Sequence, residues 1–262
     1  MYDSIATTRH AFGAWLRCMA AVIAHEAEVQ FGRKGGLVLA MMEPIFLAYS
    51  MTLIHNFLGA TTAPYGKSVA VFYCTGILYH FTFMWISIPT RGARLNARLF
   101  PRIQPLDLVL AHAAVESGLM LFAMIIVFGG MSLYGVPEAW PWDPANAFLA
   151  FLVAVTLGIG VGLINAVFIP LFPVWHLVYS LFVRAAMILS GVFFVPDFMP
   201  PSIRNWISWV PLLHGINWFR AAFSPGYPSL LLDKQYYIAC AVMTLTIGIA
   251  LEYVTRQQRA LT

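Results

Sequence analysis

Six stretches of the chain are predominantly apolar over lengths that cross a bilayer, and the polar positions between them punctuate the series. The first covers residues 37–58, behind Arg33, Lys34 and the pair Gly35 and Gly36. A helix over it reaches about 33 Å at about 1.5 Å per residue, enough to span the hydrocarbon core. A short turn, residues 59–66, leads back through a second span at 69–88. A third span covers 109–133, a fourth 145–169 up to Pro170, a fifth 177–195 and a sixth 236–254. Ahead of them, Phe12, Trp15, Leu16, Met19, Val22 and Ile23 recur at three- and four-residue steps, with Arg17, His25 and Glu28 on or near the other side. That spacing predicts an amphipathic helix. It carries too many polar groups to cross a membrane, so residues 1–34 are expected to lie flat at the interface.

The connectors differ in character. Between the second and third spans, Pro89, Arg91, Arg94, Arg98, Pro101, Arg102 and Pro105 make a strongly basic run with no acid before Asp107. Residues 134–144 hold Trp140, Trp142, Glu138 and Asp143 and no base. Residues 196–234 alternate breakers with apolar stretches: Pro196, Pro200 and Pro201, then 203–213 with Trp206 and Trp209, then 216–223 with Trp218. A bare loop in lipid leaves its backbone groups unpaired, whereas two short half-helices satisfy them. This segment therefore reads as a re-entrant hairpin dipping into the outer leaflet.

Composition agrees. Of 262 residues, 60% are hydrophobic and only 10% charged, against roughly 25% charged in an ordinary soluble domain. So few ionic groups cannot clothe a water-facing surface or a nucleic-acid interface, and so apolar a chain is not a disordered one. The eight tryptophans suit a bilayer's two interfaces. The fold class expected is an all-α polytopic membrane protein forming a single transmembrane domain over 1–262, with a tail at 255–262. Cys18, Cys74 and Cys240 are too scattered for a disulfide framework or zinc site. Asp3, Arg9 and His10 stand where a cleavable signal would need an apolar run, so the N-terminus is expected to stay in the cytoplasm.

Charge supplies the orientation. Six spans put both termini on one side, together with ten bases: Arg9, Arg17, Arg33, Lys34, Arg91, Arg94, Arg98, Arg102, Arg256 and Arg259. Lys67, Arg204, Arg220 and Lys234 lie opposite. The excess places both termini in the cytoplasm and the hairpin outside. Arg184, the remaining base, falls inside the fifth span. An intramembrane guanidinium faces a partner, a water-filled cavity or the headgroups, and Glu43 and Glu116, near the same ends of their spans, are candidate partners.

Catalytic signatures fail one by one. His25-Glu26 is followed by Val29 where a second zinc-binding His belongs, and no G-x-S-x-G elbow occurs. Gly66-Lys67-Ser68 ends like a phosphate-binding loop, but Thr61 stands where its first glycine belongs, which leaves a turn. The chain is thus expected to be no enzyme and to bind no cofactor or metal of its own. On the second span Tyr73, Tyr79, Phe81, Phe83 and Trp85 suit either core packing or a sugar path, since sugars present C–H faces to rings. Trp206, Trp209, Trp218 and Arg220 of the hairpin, with Arg184, complete the substrate-path candidates. Arg91, Arg94, Arg98 and Arg102, at three- and four-residue steps, place four cations on one helical face, suited to an acidic partner surface or anionic lipid.

This architecture resembles the membrane subunit of type-two ABC exporters, and short motifs narrow it. His25-Glu26, Phe31-Gly32 and Met42-Glu43-Pro44 resemble the opening of the polysaccharide-exporting branch, with His25 and Gln30 standing in place of arginines. Thr75-Gly76-Ile77-Leu78, Asn96 and Gln104-Pro105-Leu106-Asp107 are similar to its second span and connector. Ser190-Gly191-Val192-Phe193-Phe194, Pro200, Trp209, Pro211-Leu212, His214-Gly215 and Arg220 are similar to its fifth span and hairpin. These motifs cover nearly the whole chain, and the nearest pattern is that of the KpsM-like subunits of capsular-polysaccharide exporters. The resemblance implies a bacterial inner-membrane homodimer, an ATPase subunit carrying ATP and magnesium on each copy, a periplasmic co-polymerase or export adaptor, and a lipid-linked polysaccharide as cargo. It makes residues 12–31 and 91–102 the segments that take up ATPase motion, with His25, Glu26, Arg91, Arg94, Arg98 and Arg102 as coupling candidates. Teichoic-acid and O-antigen exporters share much of the pattern. A secondary transporter or channel would need internal repeats and ionisable groups at mid-bilayer, and an intramembrane transferase clustered acids or histidines at one face.

Overall fold

The computed structural model describes residues 2–32, 36–59, 62–88, 104–172 and 174–261, with the backbone alone for residues 2–12, 30 and 256–261. Every regular element among the described residues is helical: α1 (Tyr2–Phe31), α2 (Gly36–Phe57), α3 (Val69–Ser87), α4 (Pro105–Leu133), α5 (Pro144–Leu171), α6 (Trp175–Leu189), α7 (Pro201–Ile207), α8 (Pro211–Phe223) and α9 (Lys234–Leu261). A single 3₁₀ turn, Pro196–Phe198, lies between α6 and α7. Helices α2 to α5 and residues Lys234–Thr255 of α9 are long and apolar enough to cross a membrane. The expected basic connector with Arg91, Arg94, Arg98 and Arg102 lies outside the described residues.

Local chemistry sets the helix starts. The Ser68 hydroxyl accepts the Val71 N–H at 3.4 Å at the head of α3. At the head of α4 the Gln104 N–H donates to Asp107 Oδ2 at 3.0 Å, half of a reciprocal capping box. Asp143 caps α5 by accepting the Asn146 backbone N–H at 3.0 Å and its side-chain amide at 2.7 Å. Those donors hold the Asp143 carboxyl below the usual carboxylate range. Helices α4, α5, α7 and α8 each open on proline, whose missing N–H costs nothing there.

Helix α3 is the axis of the core. Ile77, Leu78 and Tyr79 are fully buried on it, and it packs against α2, α4, α5 and α8. Helices α5 and α9 interlock at two glycines: a Cβ on Gly160 would sit 2.5 Å from the Leu245 nitrogen, and one on Gly248 would sit 2.7 Å from the Gly160 carbonyl oxygen. Small residues permit this approach of backbones, which is how helices associate where lipid removes the hydrophobic drive. Helix α1 lies against α4, with Met19 and Val22 packed on Leu108 and Ala111. Helices α2 and α6 are peripheral, turning Leu39, Phe46, Leu53, Leu181 and Phe182 outward.

Helix α4 starts at Pro105 rather than at residue 109 and α9 continues to Leu261 rather than stopping at 254, and two further differences change the path of the chain. The fifth span was expected to run through residue 195, but its helix stops at Leu189 after 15 residues, about 22 Å. Gly191 follows in the left-handed region at φ +75° and turns the chain. The hairpin breaks at residues 208–210, so its second half-helix starts at Pro211 rather than at Ile216. Pro211 initiates a helix better than Gly215 interrupts one.

The α5–α9 approach gives a direct test. Gly160→Val should overpack the seam and destabilise the chain by about 2 kcal/mol, seen as a lower melting temperature in detergent. Gly130→Ala, where an added Cβ meets nothing within 4 Å, should leave melting unchanged or raise it slightly.

Candidate functional site

Two clusters of buried polar groups stand at the two ends of the α3 axis. At the end nearer the α7–α8 hairpin, Arg220 of α8 is only 3% exposed. Its Nη1 donates to the carbonyls of Gly191 at 2.7 Å and Phe194 at 3.4 Å. Its Nη2 donates to the carbonyls of Val192 at 2.6 Å and Phe72 at 3.2 Å, and the guanidinium carbon stands 3.7 Å over the Phe72 ring. The Val195 carbonyl accepts the Phe198 N–H of the 3₁₀ turn at 3.2 Å, and Arg220 supplies the donors for the carbonyls of Gly191, Val192 and Phe194 before it. The approach needs Gly76: a Cβ there would sit 2.5 Å from Arg220 Nη2 and 3.0 Å from the Val192 oxygen. The guanidinium is pinned by its carbonyls and cannot step aside.

Above Arg220, Glu138 holds the outer loops together. Its Oε2 accepts the Lys67 N–H at 3.1 Å and the Ser224 hydroxyl at 3.0 Å. Glu138 does this at φ 60°, a conformation side chains rarely adopt. Between Glu138 and Arg220 lies a cavity of about 10 Å³ lined by Tyr65, Ser68, Thr75, Ser224 and Tyr227, room for one water. Nearby, Asn146 accepts from Trp218 Nε1 at 2.9 Å and Lys234 Nζ at 3.2 Å.

At the opposite end, His112 of α4 is the hub. Its Nδ1 lies 3.3 Å from Glu26 of α1 and 4.0 Å from Glu116 one turn along α4. Its Nε2 lies 3.1 Å from the Trp85 carbonyl, in the last turn of α3. His112, Glu26 and Glu116 are all buried. Asn165 of α5 donates to the Ser87 carbonyl at 2.8 Å and accepts from Trp175 Nε1 at 2.8 Å. Among the described residues, no three His, Cys, Asp or Glu side chains are placed to hold a metal ion.

The residues singled out from sequence take different places. Arg184 pairs with Glu43 at 4.0 Å between α6 and α2, both largely exposed on the bundle's outside; Glu116, the other candidate, belongs to the His112 cluster. Tyr79 and Trp218 are interior, and the Tyr79 hydroxyl donates to the Ala150 carbonyl at 2.7 Å. Tyr73 is buried with its hydroxyl 3.1 Å from His55 Nδ1. Phe83 and Trp85 are half-buried, His25 likewise, and Trp206 and Trp209 stand out from the hairpin.

Residues 72–224, more than half of the chain, match the ABC-2 type transporter family. The chain belongs to this family. Relatives extend the likeness beyond that segment. The capsule polysaccharide export inner-membrane protein CtrC of Neisseria meningitidis serogroup B is 25% identical over 259 residues, covering 95% of this chain and 92% of its own length. The polysialic acid transport protein KpsM of Escherichia coli is 27% identical over 250 residues, covering 92% and 94%. The capsule polysaccharide export inner-membrane protein BexB of Haemophilus influenzae is 22% identical over 228 residues, covering 85% and 84%.

In this ABC-2 chain the residues that sequence reasoning passed over are His112, Glu138 and Asn165. His112 and Glu116 stand one turn apart inside an apolar span, where ionisable groups are costly, and that was a signal available in the sequence. Glu138 carried no such mark, because nothing local distinguishes it from a solvated loop acid.

The Arg220 arrangement predicts coupled variants. Arg220→Lys keeps charge but loses the fork, and it should destabilise the chain by about 3 kcal/mol, leaving carbonyls unpaired. Gly76→Ala should also be costly, yet much less so in an Arg220→Met background, where the space is vacated. Melting of the four purified variants checks this; additive effects would mean that the two residues do not share a contact.

Proposed function

We propose that this chain is the membrane-spanning subunit of an ATP-driven exporter of lipid-linked capsular polysaccharide. It works as a homodimer in the bacterial inner membrane with one ATPase subunit docked on each copy, and a periplasmic adaptor carries the polymer onward. The observation that carries this reading is the likeness, over 85% or more of the chain, to two capsule polysaccharide export inner-membrane proteins and a polysialic acid transport protein. The ten bases against four support cytoplasmic termini and an external hairpin. On this reading α1 lies along the cytoplasmic surface and takes up the ATPase motion, with Arg91, Arg94, Arg98 and Arg102 as further coupling candidates. ATP and magnesium are bound by the partner, since this chain carries no phosphate-binding loop.

The dimer surface follows from charge. The Arg184–Glu43 pair stands on a face otherwise made of Leu39, Phe46, Leu181 and Phe182. Ionised groups facing lipid are costly, and a second copy laid on the same face removes them from it. Arg184 then sits about 14 Å along α6 and Glu43 about 10 Å along α2, inside the interface rather than at its rim.

Two measurements test the reading. The purified chain alone should hydrolyse no ATP, and hydrolysis with polymer export should appear when the partner ATPase is co-expressed; robust hydrolysis by the isolated chain would refute it. In a background lacking Cys18, Cys74 and Cys240, Phe182→Cys should give a cross-linked dimer with a short bifunctional thiol reagent, whereas Ile125→Cys on α4 should give none. Equal yields at both positions would exclude the α2–α6 face.

A further inference from the structure

The buried polar groups at the α1 end form a line across five helices, and its links are set by where α3 stops. The last carbonyls of a helix have no partner within it. In α3 two of these are Trp85 and Ser87, and neither is left to solvent. The Trp85 carbonyl faces His112 Nε2 at 3.1 Å, and the Ser87 carbonyl accepts from Asn165 Nδ2 at 2.8 Å. His112 then reaches Glu26 of α1 at 3.3 Å, and Asn165 reaches Trp175, the first residue of α6, at 2.8 Å. The route therefore runs from α1 through α4 to the end of α3, and from there through α5 to the start of α6.

Stability alone does not account for this arrangement. The α1–α4 contact already has an apolar seam in Met19, Val22, Leu108 and Ala111, and buried ion pairs replaced by apolar side chains often leave a protein as stable. What apolar contacts lack is direction. Helices packed only by methyl groups slide and rotate at little cost, whereas a hydrogen bond weakens steeply with misalignment. The hydrogen bonds fix the axial register of α3 against α4, α5 and α6, and the His112–Glu26 ion pair ties α1 to that assembly.

We propose that Glu26, His112, Asn165 and Trp175 are positioning residues of one coupling joint, through which a displacement of α1 is passed to α3, α5 and α6. The inference rests on the reading of α1 as the helix that receives ATPase motion. It places the load on Glu26 and on three side chains within the bundle, and it needs no contribution from the basic connector.

The test measures ATP hydrolysed per polymer exported in proteoliposomes holding this chain, its partner ATPase and lipid-linked polysaccharide from the producing strain. His112→Leu and Asn165→Leu should each raise that ratio about fivefold or more, the scale of coupling between two sites. The double variant should be no worse than the worse single, because cutting one line twice adds nothing. Should the leucine variants fail to accumulate, Glu26→Gln and Trp175→Phe decide, since the first keeps the side chain's shape while removing its charge and the second keeps an aromatic ring while removing the indole N–H; both should raise the ratio. A ratio at the wild-type level in variants that assemble, or effects that multiply, would overturn the joint. Loss of ATP-dependent export in the wild-type complex would instead overturn the exporter reading.

Discussion

A guanidinium holding four backbone carbonyls is the contact on which the arrangement around the hairpin depends. The fifth apolar segment stays helical for only 15 residues, and residues 191–194 then continue without helical hydrogen bonds. Backbone of that kind is tolerated at membrane depth only where protein supplies its partners. Arg220 supplies them to Gly191, Val192 and Phe194, and it takes the Phe72 carbonyl as well. The break in the fifth segment, the position of α8 and the first turns of α3 are therefore one mechanical unit. The unit is closed at Gly76, since any side chain there would occupy the place of Nη2.

Helix α3 meets the same physical requirement at its other end by different means. Its last carbonyls are met by His112 and Asn165, side chains from the two helices that flank it. Both ends of the central helix are thus tied sideways to neighbours rather than left to water. A helix anchored in this way cannot shift along its axis without moving α4, α5 or α8. This makes α3 the element that carries a displacement from one end of the bundle to the other, and the peripheral α2 and α6 the elements free to meet another surface.

Much of the fold was legible because hydropathy and helix chemistry act locally. The apolar runs alone place α2, α3 and α5 within about two residues of their ends, whereas α4 begins earlier, at Pro105, and α9 runs on to Leu261. The premature end of α6 was not legible: Ser190 to Val195 is as apolar as the helix before it, and its departure from helix depends on an arginine about thirty residues later in the chain. Long-range partners also hid the sites. Arg220 reads as a charge on a hairpin and Tyr79 as an aromatic of the second span, yet both lie in the interior because of α6 and α5. The Glu43 partner of Arg184 was within reach because both lie at similar depths, whereas the choice against Glu116 rests on His112.

The two remaining polar features divide the molecule's surfaces by chemistry. Around the hairpin, Trp206 and Trp209 stand outward, where indole rings sit well at a headgroup boundary. On the α2–α6 face the polar feature is an ion pair among apolar side chains, a poor fit to lipid and a good fit to a protein surface. Between apolar helices in lipid there is no hydrophobic gain on association. A pair of charges that lipid disfavours provides the missing drive, and on the proposed dimer it does so while α3 and α8, whose polar groups are already spent inside the chain, contribute none.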